Sequence, residues 1–288
     1  MKIGVSAYSF NRYFKTGDID LAGAVKAAAE IGFDGFEMLP WYWKEGKGTS
    51  GECRELRKML GDAGLEICCY TLGNNFGLPE GPERRAVIDN IRREIDMAVV
   101  LGAKVCRIES TFGPKEDDDA TFEEVLNRVV RATKEVAEYA LKLGVRLGLE
   151  NHGRYMGSFH HVAQIIKAVK SPAYGAVPDI GNFFVVDEDP VAACRELAKC
   201  TVHVHAKDFV RKPPEPPMGK GWGITNAGFQ IRGALVGEGD VPVRECLAAL
   251  KSRAYDGWLA VEHEAPEDPR EGLRRSLANL REMLESLD

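Results

Sequence analysis

The sequence of 288 residues lacks several features that mark particular classes of protein. Its seven cysteines form no CxxC pair, and no run of about 18 apolar residues occurs. The opening MKIGVSAYSF offers only a short apolar stretch before Asn11 and Arg12, which is too little for a signal peptide. These absences predict reduced thiols, no membrane span and a cytoplasmic protein.

Basic clusters and nucleotide-binding loops are missing as well. The net charge is -6 and the isoelectric point is near 5.7, and no run of Lys and Arg exceeds a pair. Nucleic acid and anionic membranes are therefore excluded as expected partners. The first apolar segment is not followed by GxGxxG, and GxxxxGK[ST] occurs nowhere, which argues against a doubly wound nucleotide-binding sheet.

What the sequence does contain is a regular alternation of strand-like and helix-like segments. The eight strand-like segments are KIGVSAY, FDGFEML, LEICCYT, AKVCRIE, VRLGLEN, YGAVPDI, TVHVHAKD and GWLAVEHE. Helical periodicity is found at Leu21–Ile31, Arg54–Ala63, Pro82–Leu101, Thr121–Leu143, Val162–Val169, Pro190–Ala198, Val243–Lys251 and Pro269–Leu287. Eight such pairs predict a single (β/α)8 barrel domain over residues 1–288.

The connections of this predicted barrel differ at its two ends. Turns that lead into strands carry glycine, where we expect left-handed helix ends, in IGFDG, AGLE, LGAK, LGVR and YDGW. The segments that follow strands vary more in length, and the longest comes after strand seven. We expect its Phe209–Ile231 part, with Trp222 near the middle, to be a mobile cover over the site. A subunit contact is the alternative, so a homo-oligomer stays open.

Ligand-type residues end four consecutive predicted strands: Glu150, Asp179, His205 and Glu262. In a barrel these strand ends meet at one face, where chemistry is concentrated. Three carboxylates and one imidazole suit a single divalent ion such as Mn²⁺, Mg²⁺ or Co²⁺. His203 lies on the same side of its strand as His205, and we expect it to lie deeper or to support His205.

Further residues are expected to face the same pocket and contact substrate. They are Glu37, Trp41, Trp43, Arg107, Glu109, His152, Lys207 and Asp208. The tryptophans would either stack on a sugar ring or pack their loop. Arg107 would bind a phosphate or carboxylate, or pair with Glu109. Lys207 would pair with Asp208 or contact a polar substrate.

Several short motifs together resemble the xylose isomerase-like barrel superfamily. They are KIGVSAYSF, GFDGFEM, GLENHG, PDIGN, VHVHAKD, LVGEGDVP and YDGWLAVEHE, and in this order they cover essentially the whole chain. The superfamily holds sugar isomerases and epimerases, inosose dehydratases, hydroxypyruvate isomerases and endonuclease IV-type DNA repair enzymes. The resemblance implies one divalent metal held by Glu150, Asp179, His205 and Glu262.

The resemblance also implies a reaction. Glu150 and Glu262 would act as an acid/base pair on opposite faces of a ketose, or related polyol ketone, whose carbonyl binds the metal. The pattern of the ketose epimerases places a histidine three residues after Asp179, but this chain has Asn182, which binds a hydroxyl yet moves no proton. We therefore expect an isomerase or epimerase of carbohydrate metabolism, with an inosose dehydratase-like lyase as the alternative.

Two other functions remain less favoured. The repair enzymes use three metals and additional histidines in the first half of the barrel, whereas all six histidines here lie between positions 152 and 263. A non-catalytic sugar-binding barrel would have no use for two opposed carboxylates.

Overall fold

Eight parallel strands form the barrel in the computed structural model of the protein, which describes residues 1–46 and 48–287. They are β1 (Lys2–Ser6), β2 (Gly35–Met38), β3 (Glu66–Thr71), β4 (Val105–Ile108), β5 (Arg146–Glu150), β6 (Tyr174–Val177), β7 (Val204–Ala206) and β11 (Trp258–Val261). Their order is β6-β5-β4-β3-β2-β1-β11-β7. Parallel bridges from Ala176 to Thr201 and from Asp179 to His205 join β6 to β7. The predicted (β/α)8 barrel is confirmed.

Helices surround this barrel. They are α1 (Asn11–Thr16), α2 (Leu21–Ile31), α3 (Ser50–Asp62), α4 (Pro82–Leu101), α5 (Phe122–Lys142), α6 (Phe159–Val169), α7 (Asn182–Val185), α8 (Pro190–Leu197), α9 (Val243–Lys251) and α10 (Pro269–Glu285). Two of them begin earlier than periodicity indicates, because Thr49 and Ser158 accept hydrogen bonds from the first turns of α3 and α6.

Glycine ends four of the helical segments as expected. Gly32, Gly64, Gly102 and Gly144 have positive φ, the left-handed conformation that glycine adopts without strain. The expectation fails for YDGW, where the left-handed residue is Ala254, with a φ of 62°. Gly257 is needed there for space instead, since a Cβ would lie 2.6 Å from the Tyr255 hydroxyl.

The long segment after β7 is more ordered than its proline content indicates. It contains β8 (Asp208–Lys212), β9 (Gly223–Ile224) and β10 (Gln230–Ala234), which pair in antiparallel fashion as β8-β10-β9. We call residues 208–234 the insertion. The irregular loop expected at Phe209–Ile231 is thus a small sheet with connecting turns, and its proposed motion stays a prediction.

Candidate metal centre and substrate cavity

The four strand-end residues come together in one buried cluster. Glu150, Asp179, His205 and Glu262 each offer one ligand atom, and these atoms all lie within 4.8 Å of one another. Nδ1 of His205 is 2.9 Å from Oε1 of Glu150 and 3.6 Å from Oε1 of Glu262. Glu150 ends β5, His205 lies within β7 and Glu262 follows β11, so the barrel brings together residues that are up to 112 positions apart.

Backbone contacts fix Asp179 just beyond β6. Its Oδ1 accepts hydrogen bonds from the amides of Gly181 and Asn182, both at 2.9 Å. Asn151 ties this strand end to its neighbour, because its side chain donates to the Asp179 carbonyl at 3.0 Å and accepts from the Asp179 amide at 2.8 Å. The interpretation of the sequence gave Asn151 no role, although it follows Glu150 directly.

Arg107 is the cation that meets the carboxylate of Glu150. Its guanidinium contacts Oε2 of Glu150 and lies 3.0 Å from Oε1 of Glu109. Burial alone would raise the pKa of Glu150, but the charges of Arg107 and His205 hold it well below its ordinary value. Glu150 is therefore ionised, with Oε2 tied to Arg107 and Oε1 directed toward the cluster.

A second cation, Lys207, contacts the other two carboxylates of the cluster. Its Nζ is 3.1 Å from Oδ2 of Asp179, 2.8 Å from Oε2 of Glu262 and 3.1 Å from Oε1 of Glu264. Burial disfavours the ammonium, yet these carboxylates raise the pKa of Lys207 well above its usual value. Lys207 thus pairs with cluster carboxylates, and the expected pairing with Asp208 is replaced.

Asp208 instead organises backbone. It accepts hydrogen bonds from the amides of Phe209, Gly237, Gly239 and Val241 at 2.7–3.1 Å. These bonds hold the segment that follows the insertion against the start of β8. Contact of Asp208 with substrate stays a prediction.

A cavity of about 420 Å³ opens beside the cluster. Its wall includes His152, Arg154, Asn182, Lys207 and Glu264, together with parts of β9 and β10. His152 Nδ1 lies 2.9 Å from Oε1 of Glu109, and this carboxylate raises the pKa of His152 although burial lowers it. The insertion therefore forms one wall of the space next to the ligand cluster.

The other expected substrate-contacting residues lie in different surroundings. Glu37 is fully buried against His203 and His205. Trp41 is 48% exposed. The Arg232 guanidinium lies over the ring of Trp222, with Cζ of Arg232 5.0 Å from the ring centroid. Trp43 is buried and donates to the Tyr70 hydroxyl at 3.0 Å. Contact of these residues with substrate stays a prediction.

Residues that the sequence interpretation missed line a second cavity of about 440 Å³. It contains Tyr8, Arg12, His263 and Glu264, so Glu264 borders both cavities. Burial, followed by the charge of Glu264, raises the pKa of Tyr8 to about 12. The sequence did hold a signal for Tyr8, because the SAYSF segment lies at the carboxyl end of β1, where site residues of a barrel are expected.

The charge and chemistry of the cluster fit a divalent cation. Five buried carboxylates, on Glu37, Glu109, Glu150, Asp179 and Glu262, outnumber the two permanent cations, on Arg107 and Lys207, and three of the five surround His205. Burying unmatched charge is costly, so a cation is favoured here. Three oxygen donors and one imidazole nitrogen suit Mg²⁺, Mn²⁺ or Co²⁺.

Comparison with known proteins identifies the family. A model of the xylose isomerase-like TIM barrel matches residues 25–283. The chain belongs to this family. The family model agrees with the resemblance that the short motifs of the sequence carry.

Three enzymes illustrate the range of its relatives. The chain is 26% identical over 274 residues to 3-oxo-isoapionate decarboxylase of Pectobacterium atrosepticum and 24% identical over 276 residues to fructoselysine 3-epimerase of Shigella flexneri. It is 27% identical over 146 residues to inosose dehydratase of Lactiplantibacillus plantarum. The match to the decarboxylase spans 92% of this chain and 86% of that protein, and the match to the epimerase spans 91% and 92%. The match to the dehydratase spans 50% of this chain and 47% of that protein. A match to a Methanocaldococcus jannaschii protein spans 64% of this chain and 59% of that protein.

Solved structures share the fold. A xylose isomerase-like TIM barrel protein from Mycobacterium smegmatis in complex with magnesium superimposes with a TM-score of 0.75 at 18% identity, over 100% of this chain and 98% of that one. In the described part of this chain, no helix is long and apolar enough to cross a membrane.

Proposed function

We propose that the protein is a divalent-metal-dependent isomerase or epimerase of a ketose or related sugar. The observation that carries this proposal is the cluster of Glu150, Asp179, His205 and Glu262 next to a cavity of about 420 Å³. When bound, the ion would polarise the substrate carbonyl and make the adjacent C–H more acidic. The remaining chemistry is proton transfer, which the side chains of this chain would perform.

Glu262 is the stronger candidate for the base. Its Oε2 accepts from Lys207 at 2.8 Å, and its Oε1 lies 3.6 Å from Nδ1 of His205, a longer separation than the 2.9 Å of Glu150. Glu150, which also faces Nδ1 of His205, would take up a proton from solvent and return it to the opposite face of the same carbon, and Glu262 would release its proton to solvent. Arg107 limits this second role, because it keeps the pKa of Glu150 low and contacts one of its two oxygens.

The dyad of His152 and Glu109 favours a second candidate, a lyase. A β-elimination needs an acid that protonates the departing hydroxyl, and His152 borders the cavity with a pKa raised by Glu109. An enolate formed by Glu262 would then expel the hydroxyl as water. The similarity to a dehydratase and to a decarboxylase, which are both lyases, supports this second candidate.

The test is NMR of the Mg²⁺-loaded protein with ketoses and inososes in D₂O. Uptake of deuterium at one carbon without loss of water supports isomerisation or epimerisation, whereas an unsaturated or deoxy product supports the lyase. A sample stripped with chelator should be inactive. Failure of exchange and of turnover with every substrate would count against both candidates.

The roles of the two glutamates can be separated by mutation. Glu150→Gln and Glu262→Gln each keep an oxygen for the metal but remove a base, so kcat should fall by about 10²- to 10⁴-fold. Metal occupancy should fall much less. Glu94→Gln is the matched control, because Glu94 is a buried carboxylate on α4 that accepts from Tyr70 at 2.7 Å, outside the cluster. Turnover retained in both site variants at full occupancy would place the base elsewhere, with His152 or Lys207 next.

A further inference from the structure

Beneath the four-ligand cluster, a second group of buried side chains surrounds the far edge of His205. Glu37 from β2 and His203 and His205 from the β7 region are all fully buried. Oε2 of Glu37 is 2.9 Å from Nε2 of His203 and 3.0 Å from Nε2 of His205. Nδ1 of His205 points the other way, toward Glu150 and Glu262. The imidazole of His205 therefore has one edge on Glu37 and the other on the ligand cluster.

The hydrogen-bonding chemistry of Glu37 restricts where the protons lie. An ionised carboxylate only accepts hydrogen bonds, so both Nε2 atoms must carry hydrogen. By the same rule, Nδ1 of His205 carries hydrogen when it lies 2.9 Å from the ionised Glu150 with no ion between them. When an ion replaces that hydrogen, the neutral ring keeps its hydrogen on Nε2 and directs the Nδ1 lone pair at the ion. The other tautomer would set an Nε2 lone pair against the Glu37 oxygen inside the protein, at a high electrostatic cost.

We propose that Glu37 is a positioning residue that holds His205 with Nε2 protonated and Nδ1 directed at the metal. This inference rests on the metal site of the proposed function but concerns a residue outside the ligand set. Carboxylates that accept from the remote nitrogen of a ligating histidine fix its ring and increase its basicity. Glu37 has the position for that role, since it accepts from Nε2 of His205 while Nδ1 of the same ring faces Glu150 and Glu262.

His203 supports Glu37 in the same arrangement. It donates to the same oxygen as His205, and the two rings stand edge to face, with centroids 5.4 Å apart and planes at 89°. Oε1 of Glu37 and Nδ1 of His203 have no hydrogen-bond partner within residues 1–46 and 48–287. The position of the Glu37 carboxylate thus depends on its two hydrogen bonds through Oε2.

The same three residues also have the composition of a metal site. Two hydrogen bonds of ordinary length account for their separations without an ion, so we assign positioning to this group. The number of ions bound per chain separates the two assignments.

The experiment measures metal affinity in the full chain by competition with a chelating dye, using Mn²⁺ and Co²⁺. Glu37→Gln should bind the ion about 10- to 100-fold more weakly than the parent protein. The Co²⁺ absorption bands should also change, because the amide side chain can donate to Nε2 of His205 and so permit the wrong tautomer. His203→Gln keeps an N–H donor and should be milder than His203→Phe, which removes it. Glu94→Gln should match the parent in affinity and spectrum.

A measurement on the parent protein guards against variants that do not fold. In the Mg²⁺-loaded protein labelled with ¹⁵N at histidine, His205 should show a hydrogen on Nε2 and none on Nδ1. The reverse tautomer would overturn the inference, as would Glu37→Gln with parental affinity and an unchanged Co²⁺ spectrum. Two ions per chain, one of them lost in Glu37→Gln, would replace it with a second metal site. A parent protein that binds no divalent ion would remove both this inference and the proposed function, whereas the preceding outcomes leave the proposed function standing.

Discussion

Asp179 combines two requirements that oppose each other at the scale of a single residue. It must be ionised to bind a metal, yet it is fully buried. Burial raises its pKa to about 6, and the Lys207 ammonium at 3.1 Å only partly offsets this. His205 also binds a proton more strongly than an ordinary histidine, because burial lowers its pKa but the neighbouring carboxylates raise it by more.

Metal binding should therefore weaken as the pH falls through about 6, because protons and the ion compete for the same atoms. Below that pH the dissociation constant should rise by about tenfold per unit for each proton displaced. Dye competition between about pH 5 and pH 8 measures this. Asp179→Asn should bind weakly at every pH and show a smaller slope. A dissociation constant independent of pH over this range would contradict the role of Asp179.

The partners of Arg107 could not be predicted from its residue type alone. The sequence was compatible with an arginine that binds a substrate anion or pairs with Glu109. In the structure it contacts both Glu109 and Glu150 and donates to the Leu72 carbonyl at 3.1 Å. A cationic partner for the buried Glu150 is required on physical grounds, because an unpaired buried carboxylate costs several kcal/mol. Which cation meets it depends on the neighbouring strand.

At the scale of elements, capping fixes where the long outer helices begin. Thr121 accepts from the amide of Glu124, and the Glu124 side chain accepts from the amide and hydroxyl of Thr121. These bonds lower the pKa of Glu124 in the folded protein. Their contribution to the free energy of unfolding is therefore present above the ordinary pKa of glutamate and is lost as the pH falls through the lowered pKa of Glu124.

Thr121→Ala should lower the free energy of unfolding by about 1 kcal/mol, because it leaves amides at the start of α5 without an acceptor. Urea unfolding at neutral pH measures the change. Glu123→Ala is the control, since Glu123 is exposed in the same turn and does not take part in the capping box. Equal effects of the two substitutions would argue against capping as the cause.

The insertion is attached to the barrel through Asp187. Its Oδ1 accepts from Arg211 at 2.6 Å and from the Thr225 hydroxyl at 2.8 Å, and its Oδ2 accepts from the Ala227 amide at 2.5 Å. Its φ of 59° is left-handed, which aspartate and asparagine tolerate better than most residues.

Asp187→Asn keeps this backbone conformation but removes the charge and one acceptor. Amide hydrogen exchange and proteolysis within residues 208–234 should therefore become faster, while the barrel strands stay protected. Glu215→Gln, an equal change of charge at an exposed position of the insertion, should have little effect. Substrate plus metal should slow exchange in the parent protein if the insertion closes over the cavity, and unchanged exchange would support a fixed wall.

At the scale of the whole molecule, tight packing closes the barrel between β5, β6 and β7. A Cβ on Gly148 would lie 2.3 Å from Val177 Cγ2 and 2.7 Å from Val202 Cγ2. Gly148 is two residues before Glu150, so this close packing lies next to the end of β5 that carries Glu150.

Gly148→Ala should therefore lower the free energy of unfolding by about 1–3 kcal/mol, the usual cost of overfilling a core. Gly61→Ala, in an exposed position of α3 where a Cβ meets open space, should be neutral or stabilising by up to about 1 kcal/mol. Thermal and urea unfolding compare the two. A Gly148→Ala variant as stable as the parent would show that Val177 and Val202 relax at little cost.

The amino-acid sequence by itself determined the barrel and predicted the four strand-end residues that the structure brings together. Apolar segments at regular intervals specify strands, and the carboxyl ends of parallel strands meet at one face, so Glu150, Asp179, His205 and Glu262 were predictable without coordinates. The catalytic and substrate-contacting roles assigned to the site residues stay predictions.

Only the tertiary structure decided which polar groups pair. Glu37 and His205 are 168 positions apart, and their contact across the barrel interior has no local signal. The same holds for Lys207, which pairs with cluster carboxylates and not with its neighbour Asp208, and for the insertion, whose antiparallel pairing forms a cavity wall. Local periodicity reports burial and strand direction, whereas the partner of a buried charge is set by the register and closure of strands far apart in the chain.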